Sequence, residues 1–170
     1  SSPLLSHRKL ATILENKYFK VAEFPLSFDK SLSLKKAIKL LKTDVVNAVK
    51  SGASIIHLDE HLPKEGQLPL NALLGLGAVH QELVRLGLRA DANLIVSSAS
   101  ARDTHHIACL IGFGATAVFP WLAYQSILDL THRNELKGDA NENCARYRKG
   151  VNKGLLKIIS KMGISTISSY

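Results

Sequence analysis

Three consecutive pieces decide the fold: the run Ala92-Asn93-Leu94-Ile95-Val96, the segment Ala101 to Ile111, and the run Thr116-Ala117-Val118-Phe119. Two apolar runs of strand length flank a segment long enough for a helix, and Gly112-Phe113-Gly114 separates that segment from the second run. Strands that are apolar throughout and joined by helices predict a parallel sheet covered on both faces, with right-handed crossovers.

The same alternation continues on both sides. Upstream, Ala53 to Leu58 is another short apolar run, and Leu70 to Leu86 carries Gly75, Gly77 and Ala78 among leucines, which predicts a helix pressed closely on the sheet and stopped by Gly87. Earlier still, Phe19 to Phe24 reads as a strand ended by Pro25. Ser31 or Ser33 then caps a helix in which Leu34, Ile38, Leu41, Val45 and Val49 recur at spacings of three and four, up to about Gly52. Asp59 to Gln67 reads as a loop, Pro69 as a helix start, and Ser6 to Leu14 as a short opening helix. Downstream, Pro120 to Leu136 and Asn141 to Met162 are helical, the latter with Tyr147, Val151, Leu155 and Ile158 on one side. About four β-α units result, whereas a complete (β/α)₈ barrel takes about 250 residues. The expected fold is therefore α/β: a small open parallel sheet or an incomplete TIM-barrel-like domain, with an extra C-terminal helix.

Composition bounds the partners. At 170 residues, with 46% hydrophobic and 21% charged residues, the chain is the size of one globular domain. The longest apolar runs fall short of the ~20 residues of a membrane span, so no membrane partner is expected. The first residues lack a signal-peptide pattern and an initiator Met, and they read as a cut end. Two cysteines, Cys109 and Cys144, stand far apart without metal or redox spacing, which favours a reduced, cytoplasmic protein. The net charge of +8 is spread over Lys35 to Lys50 and Lys137 to Lys161 with acids interspersed. No aromatic-and-basic signature accompanies it, so no nucleic-acid partner is expected.

Parallel α/β sheets bind ligands at the carboxyl ends of their strands, which directs attention to Asp59-Glu60-His61, Ser97 to Asp103 and Phe119-Pro120-Trp121. The first segment holds the residue types for a metal or a proton transfer, but adjacent loop residues seldom converge, and it reads as a solvated loop. His105 and His106 diverge by roughly 100° on a helix, so no metal is expected there. Gly112-Phe113-Gly114 follows a helix and precedes a strand, the reverse of a phosphate loop. It reads as a helix C-terminus, with Gly114 or Gly112 at positive φ and the other glycine permitting close packing. Ser98, Ser100 and Arg102 form a weak anion-site candidate at a strand-to-helix junction, with Ser100 alternatively an ordinary N-cap.

Several motifs in fixed order resemble one family. Ser100-Ala101-Arg102-Asp103 with His105-His106, Gly112-Phe113-Gly114-Ala115, Leu122-Ala123-Tyr124, Asn152 to Lys157 and Lys161 to Thr166 are similar to the central domain of the glutamate synthase large subunit, of the bacterial NADPH-dependent type. The likeness runs from about Pro3 to the last residue. It implies a rudimentary barrel-like domain, 1–170, between a glutamine amidotransferase domain and an FMN-binding synthase domain of one longer chain. It implies FMN and an iron–sulfur cluster in the parent enzyme, FAD on a small subunit partner, and an internal route for ammonia. None of these cofactors is expected within these residues. No amino-terminal cysteine or cluster of cysteines is present, and no catalytic, cofactor-binding or metal residue is carried over.

The likeness also implies a domain interface at Met162, Gly163, Ile164, Ser165 and Thr166. Two positions depart from the family pattern: Ser97 stands where a glutamate is usual, and Thr104 where a proline commonly precedes the histidines. The expected function is that of a non-catalytic central domain linking the two active-site domains and walling part of the ammonia route. The alternatives are a stand-alone α/β enzyme acting on a phosphorylated metabolite and, on charge alone, a basic nucleic-acid module.

Overall fold

Residues 2–161 are described by the computed structural model. In chain order the elements are α1 (His7–Leu14), β1 (Val21–Pro25), β2 (Ser27–Asp29), α2 (Leu34–Lys50), β3 (Ile55–Asp59) and β4 (Gln67–Pro69), then α3 (Ala72–Arg85), β5 (Asn93–Ser97), α4 (Thr104–Gly112), β6 (Ala117–Phe119), α5 (Trp121–His132) and α6 (Ala140–Lys161). Side-chain caps start most helices: Ser6 accepts from the Lys9 amide, Ser33 from Lys36, Asn71 from Leu74 and Asp103 from His106. Each cap supplies an acceptor to an amide that lacks an intrahelical partner.

Strands β1, β3, β5 and β6 form one four-stranded sheet in that order, and every adjacent pair is parallel. The expected pairing of Ile55-Ile56, Leu94-Ile95-Val96 and Ala117-Val118 is thus found. Strands laid down in sequence order never reverse, so right-handed crossovers send every connecting helix to the same face. The core bears this out. Ile56, Leu58, Leu94, Val96 and Val118 pack in one cluster with Val45 and Val49 of α2, Leu76, Val79 and Leu83 of α3, and Ile107 and Leu110 of α4. The alternate residues Ile55, Ile95, Ala117 and Phe119 point to the other face, where they meet Leu5, Tyr124 and Cys144 with Leu10 and Ile13 of α1. This one-sided winding is that of a (β/α)₈ barrel, of which the chain forms an open part.

The free edge of β6 is covered by the chain's own start. Val118 donates its amide to the Pro3 carbonyl (2.7 Å), and Leu5 donates to the Val118 carbonyl (2.9 Å). The fully buried Tyr124 locks this segment with a hydrogen bond from its hydroxyl to the Leu5 carbonyl at 2.6 Å. Helix α6 closes the same end of the layer, against α4 and α5: its Val151 and Leu155 join the helical-face cluster, its Tyr147 touches both clusters, and its Asn152 Oδ1 accepts from the Ser2 hydroxyl at 2.7 Å.

Several expectations need correction. Pro69 does not begin a helix, because Gln67–Pro69 pairs antiparallel with Ser27–Asp29, and the helix waits for the Asn71 cap. Ser100 caps nothing, since Asp103 takes that role. Helix α5 stops at His132 rather than Leu136; Asn134 takes φ 59°, and the Glu135 amide turns back to the Leu130 carbonyl. Gly114 has φ +121° as expected of a helix C-terminus, but Gly112 has nothing close by and serves no tight packing. Close approaches occur at other glycines: an added Cβ would lie 2.6 Å from Thr104 Oγ1 at Gly154 of α6, and 3.1 Å from Leu26 and 3.5 Å from Leu41 of α2 at Gly75 of α3.

Two histidines make stability pH-dependent. His80 accepts a hydrogen bond at Nδ1 from Arg89 Nε (3.1 Å), and burial and then the Arg89 charge hold its pKa below the usual 6.5. His7 lies in the outer helix α1, 5.0 Å from the ring centres of Phe119 and Tyr124, and its partial desolvation against those rings and then Arg148 lower its pKa likewise. Below 6.5 the unfolded chain takes up protons that the folded state resists. The stability these groups contribute is therefore present above that value and is lost as pH falls from it toward the lowered folded values. The urea midpoint should be lower at pH 5.5 than at pH 7.5, and His80→Gln should flatten the slope; an equal or higher midpoint at the acidic pH refutes the assignment.

Candidate functional site

The three strand-end segments meet at one residue. Glu60, directly after β3, is buried, and its amide donates to the Ser97 carbonyl at 2.8 Å. Its Oε1 accepts from Ser98 Oγ (3.1 Å), the Ala99 amide (2.9 Å), the Ser100 amide (3.0 Å) and Ser100 Oγ (2.9 Å). Its Oε2 accepts from the Ala72 amide at the start of α3 (3.1 Å), and its backbone carbonyl accepts from Trp121 Nε1 (2.8 Å). The donors expected to gather an external anion are thus engaged by an internal carboxylate. A buried carboxylate is tolerated where several donors replace its water, and here they come from the ends of β5 and the start of α3. Glu60 does not lie in a solvated loop, contrary to expectation, because the turn after β3 points it into the gap between neighbouring strand ends.

Arg102 does not join Ser98 and Ser100. Its side chain is exposed and has no polar partner among the described residues; its backbone amide donates to His106 Nδ1 (3.3 Å), and its carbonyl accepts from the Tyr147 hydroxyl (2.6 Å). Burial, the largest effect, pushes the Tyr147 hydroxyl up to about 12, so it remains a donor at neutral pH. His105 and His106 are both exposed, and His106 faces Asp103 at 3.4 Å. Among the described residues no group of three or more His, Cys, Asp or Glu side chains is placed to hold a metal ion. The interface residues Met162, Gly163, Ile164, Ser165 and Thr166 lie outside the described residues.

A second polar arrangement was not foreseen. On the face of the sheet away from α2, α3 and α4, His57 Nε2 lies 2.7 Å from Ser97 Oγ, and His57 Nδ1 lies 3.4 Å from Glu23 Oε2. A proton on Nδ1 satisfies both contacts: it is donated to the carboxylate, and Nε2 accepts from the serine hydroxyl. Carboxylate, imidazole and hydroxyl stand in the order of a nucleophilic triad. The serine is nevertheless buried, and the amides that would stabilise an oxyanion are engaged: Ser98 donates to the Phe119 carbonyl, and Ala99 and Ser100 donate to Glu60. The row is a satisfied polar chain that runs from the buried Ser97 and His57 to the exposed Glu23 on the edge strand β1. A sequence signal for it existed, since Glu23, His57 and Ser97 each interrupt an apolar strand and strand periodicity turns them to one face.

A four-stranded, one-sidedly wound parallel sheet whose strand-end donors hold an internal carboxylate defines a partial barrel domain of the α/β class. The model of the glutamate synthase central domain family matches residues 1–170, and the chain belongs to that family. It is 38% identical over 140 residues to the glutamate synthase [NADPH] large chain of Bacillus subtilis, covering 82% of this chain and 9% of that one. It is 40% identical to the corresponding chain of Azospirillum brasilense (81% and 9%), and 36% identical to the chloroplastic ferredoxin-dependent glutamate synthase 2 of Arabidopsis thaliana (100% and 11%). The chain therefore spans only about a tenth of the relatives it matches, 9% to 11% of those named. Among solved structures, an L230A mutant of flavocytochrome b2 with benzoylformate is similar at a TM-score of 0.48 and 19% identity, over 75% of this chain and 35% of that one.

Proposed function

We propose that residues 1–170 form a non-catalytic spacer within a longer glutamate synthase large chain. In this reading the domain fixes the geometry between a glutamine amidotransferase domain and an FMN-binding synthase domain, and it walls part of the route ammonia takes between them. The parent chain converts glutamine and 2-oxoglutarate to glutamate with FMN, an iron–sulfur cluster and an FAD-bearing small subunit, all of them outside these residues. Its surfaces serve as domain contacts, Met162 to Thr166 among them, and its compartment is the cytoplasm.

The observation that carries this reading is the occupied strand-end site. At the place where α/β enzymes receive a phosphate or carboxylate, this chain's own Glu60 takes two hydroxyls and three amides. That weakens the alternative of a stand-alone enzyme for a phosphorylated metabolite, which needs those donors free. Fluorescence titration of the purified domain with FMN is the test, and no saturable binding is expected. A dissociation constant in the low micromolar range or tighter, about −8 kcal/mol, overturns the spacer reading.

A further inference from the structure

We propose that α1 and the loop after it form an interface for an acidic, apolar-tipped segment elsewhere in the same long polypeptide; the inference rests on the spacer reading above. The starting point is an incomplete burial. Helix α1 has an apolar side, with Leu10 and Ile13 against the inward core cluster, yet none of its residues is buried. Directly after it, at the edge where β1 begins, Tyr18 is 93% exposed and Phe19 is 53% exposed. Single exposed aromatics are ordinary, but two adjacent ones beside a half-covered helix form the kind of anchor that interfaces bury.

Beneath the helix lies a cavity of about 560 Å³. Leu5, Ile13, Ile55, Ile95 and Ala117 give it an apolar floor, and Arg8 and Lys9 also line it. It has room for an inserted apolar side chain.

Charge selects the occupant. From His7 to Lys20 the chain carries Arg8, Lys9, Lys17 and Lys20 against the single acid Glu15. Lys20 is spent on the Ser51 carbonyl at 3.1 Å, whereas Arg8, Lys9 and Lys17 make no side-chain hydrogen bond or ion pair among the described residues. Three unmatched cations around an apolar cavity and an aromatic pair are complementary to a segment presenting carboxylates about an apolar tip. The relatives supply its source, since about nine-tenths of their length lies outside the part matched here.

The test uses the full-length large chain. With Tyr18 replaced by the photoreactive p-benzoyl-phenylalanine, irradiation should cross-link it within the same polypeptide to a segment rich in Asp and Glu, as mapped by mass spectrometry. Reversing Arg8→Glu, Lys9→Glu and Lys17→Glu together should cut the cross-link yield at least tenfold, with amide exchange in β3 and β5 unchanged. Should that variant fail to fold, the unreversed chain in about 1 M salt, where the screening length is about 3 Å, should show the same loss. An absent cross-link overturns the proposal, and so does one to a second copy, to nucleic acid or to a non-acidic segment, or a yield indifferent to charge and salt. FMN binding by the domain would instead refute the spacer reading, so the two failures are told apart.

Discussion

Glu60→Ala should lower the unfolding free energy of the domain by about 3 kcal/mol or more, the range in which a buried, charge-assisted network fails. Removing the carboxylate takes the acceptor from five donors at 2.9 to 3.1 Å. The two serine hydroxyls can turn to other acceptors. The amides of Ala72, Ala99 and Ser100 cannot, because the start of α3 and the end of β5 hold them in place. Glu60→Gln keeps the volume and one acceptor but sets its NH₂ either against the Ala72 amide or against the serine cluster. It should cost about 1–2 kcal/mol. Urea denaturation at neutral pH measures both, and a Glu60→Ala variant within about 0.5 kcal/mol of the parent, which is the scatter of neutral surface changes, refutes the role given to this residue.

Gly114→Ala should be the other severe substitution, at about 3 kcal/mol or more, because backbone strain and overpacking each contribute about 1–3 kcal/mol. Its φ of +121° is one that residues with a Cβ rarely adopt, and an added Cβ would sit 2.5 Å from His80 Cγ and 2.7 Å from His80 Cβ. The ring cannot swing aside freely, since Arg89 holds it while also donating to the Ala92 carbonyl (2.6 Å) and the Gly114 carbonyl (2.9 Å). The double variant Gly114→Ala with His80→Ala isolates the part played by the ring. It should be more stable than the two single losses added together, because His80→Ala removes the ring atoms from the clash and leaves the strain and the approach of the two Cβ atoms at 2.7 Å. Strict additivity would show that the approach of His80 does not matter.

The elements were legible because most of their signals are local. The strand Leu94-Ile95-Val96, the stripe Leu41, Val45 and Val49, and the glycine that ends α4 follow from apolar periodicity and from the need of one backbone position for positive φ. Neither depends on distant residues. The misreadings share a cause. Pro69 looked like a helix start until Gln67–Pro69 found Ser27–Asp29 across the domain, and Ser100 looked like a cap until its hydroxyl found Glu60. In both cases a long-range partner outweighed a local preference.

The sequence by itself determined a parallel α/β domain of about four units, the positions of its helices and the family to which it belongs. Those properties are written in short-range periodicity and in motif order. Only the tertiary structure decided what the polar residues of the strand ends do. Glu60 and Ser98 are 38 residues apart, as far as Glu23 is from His57 to within a few positions, and no spacing rule joins either pair. They meet because parallel strands of matched register carry their ends to one edge of the sheet. There a carboxylate that looks solvated in the sequence must be buried and satisfied, and the donors that look free are the ones that satisfy it.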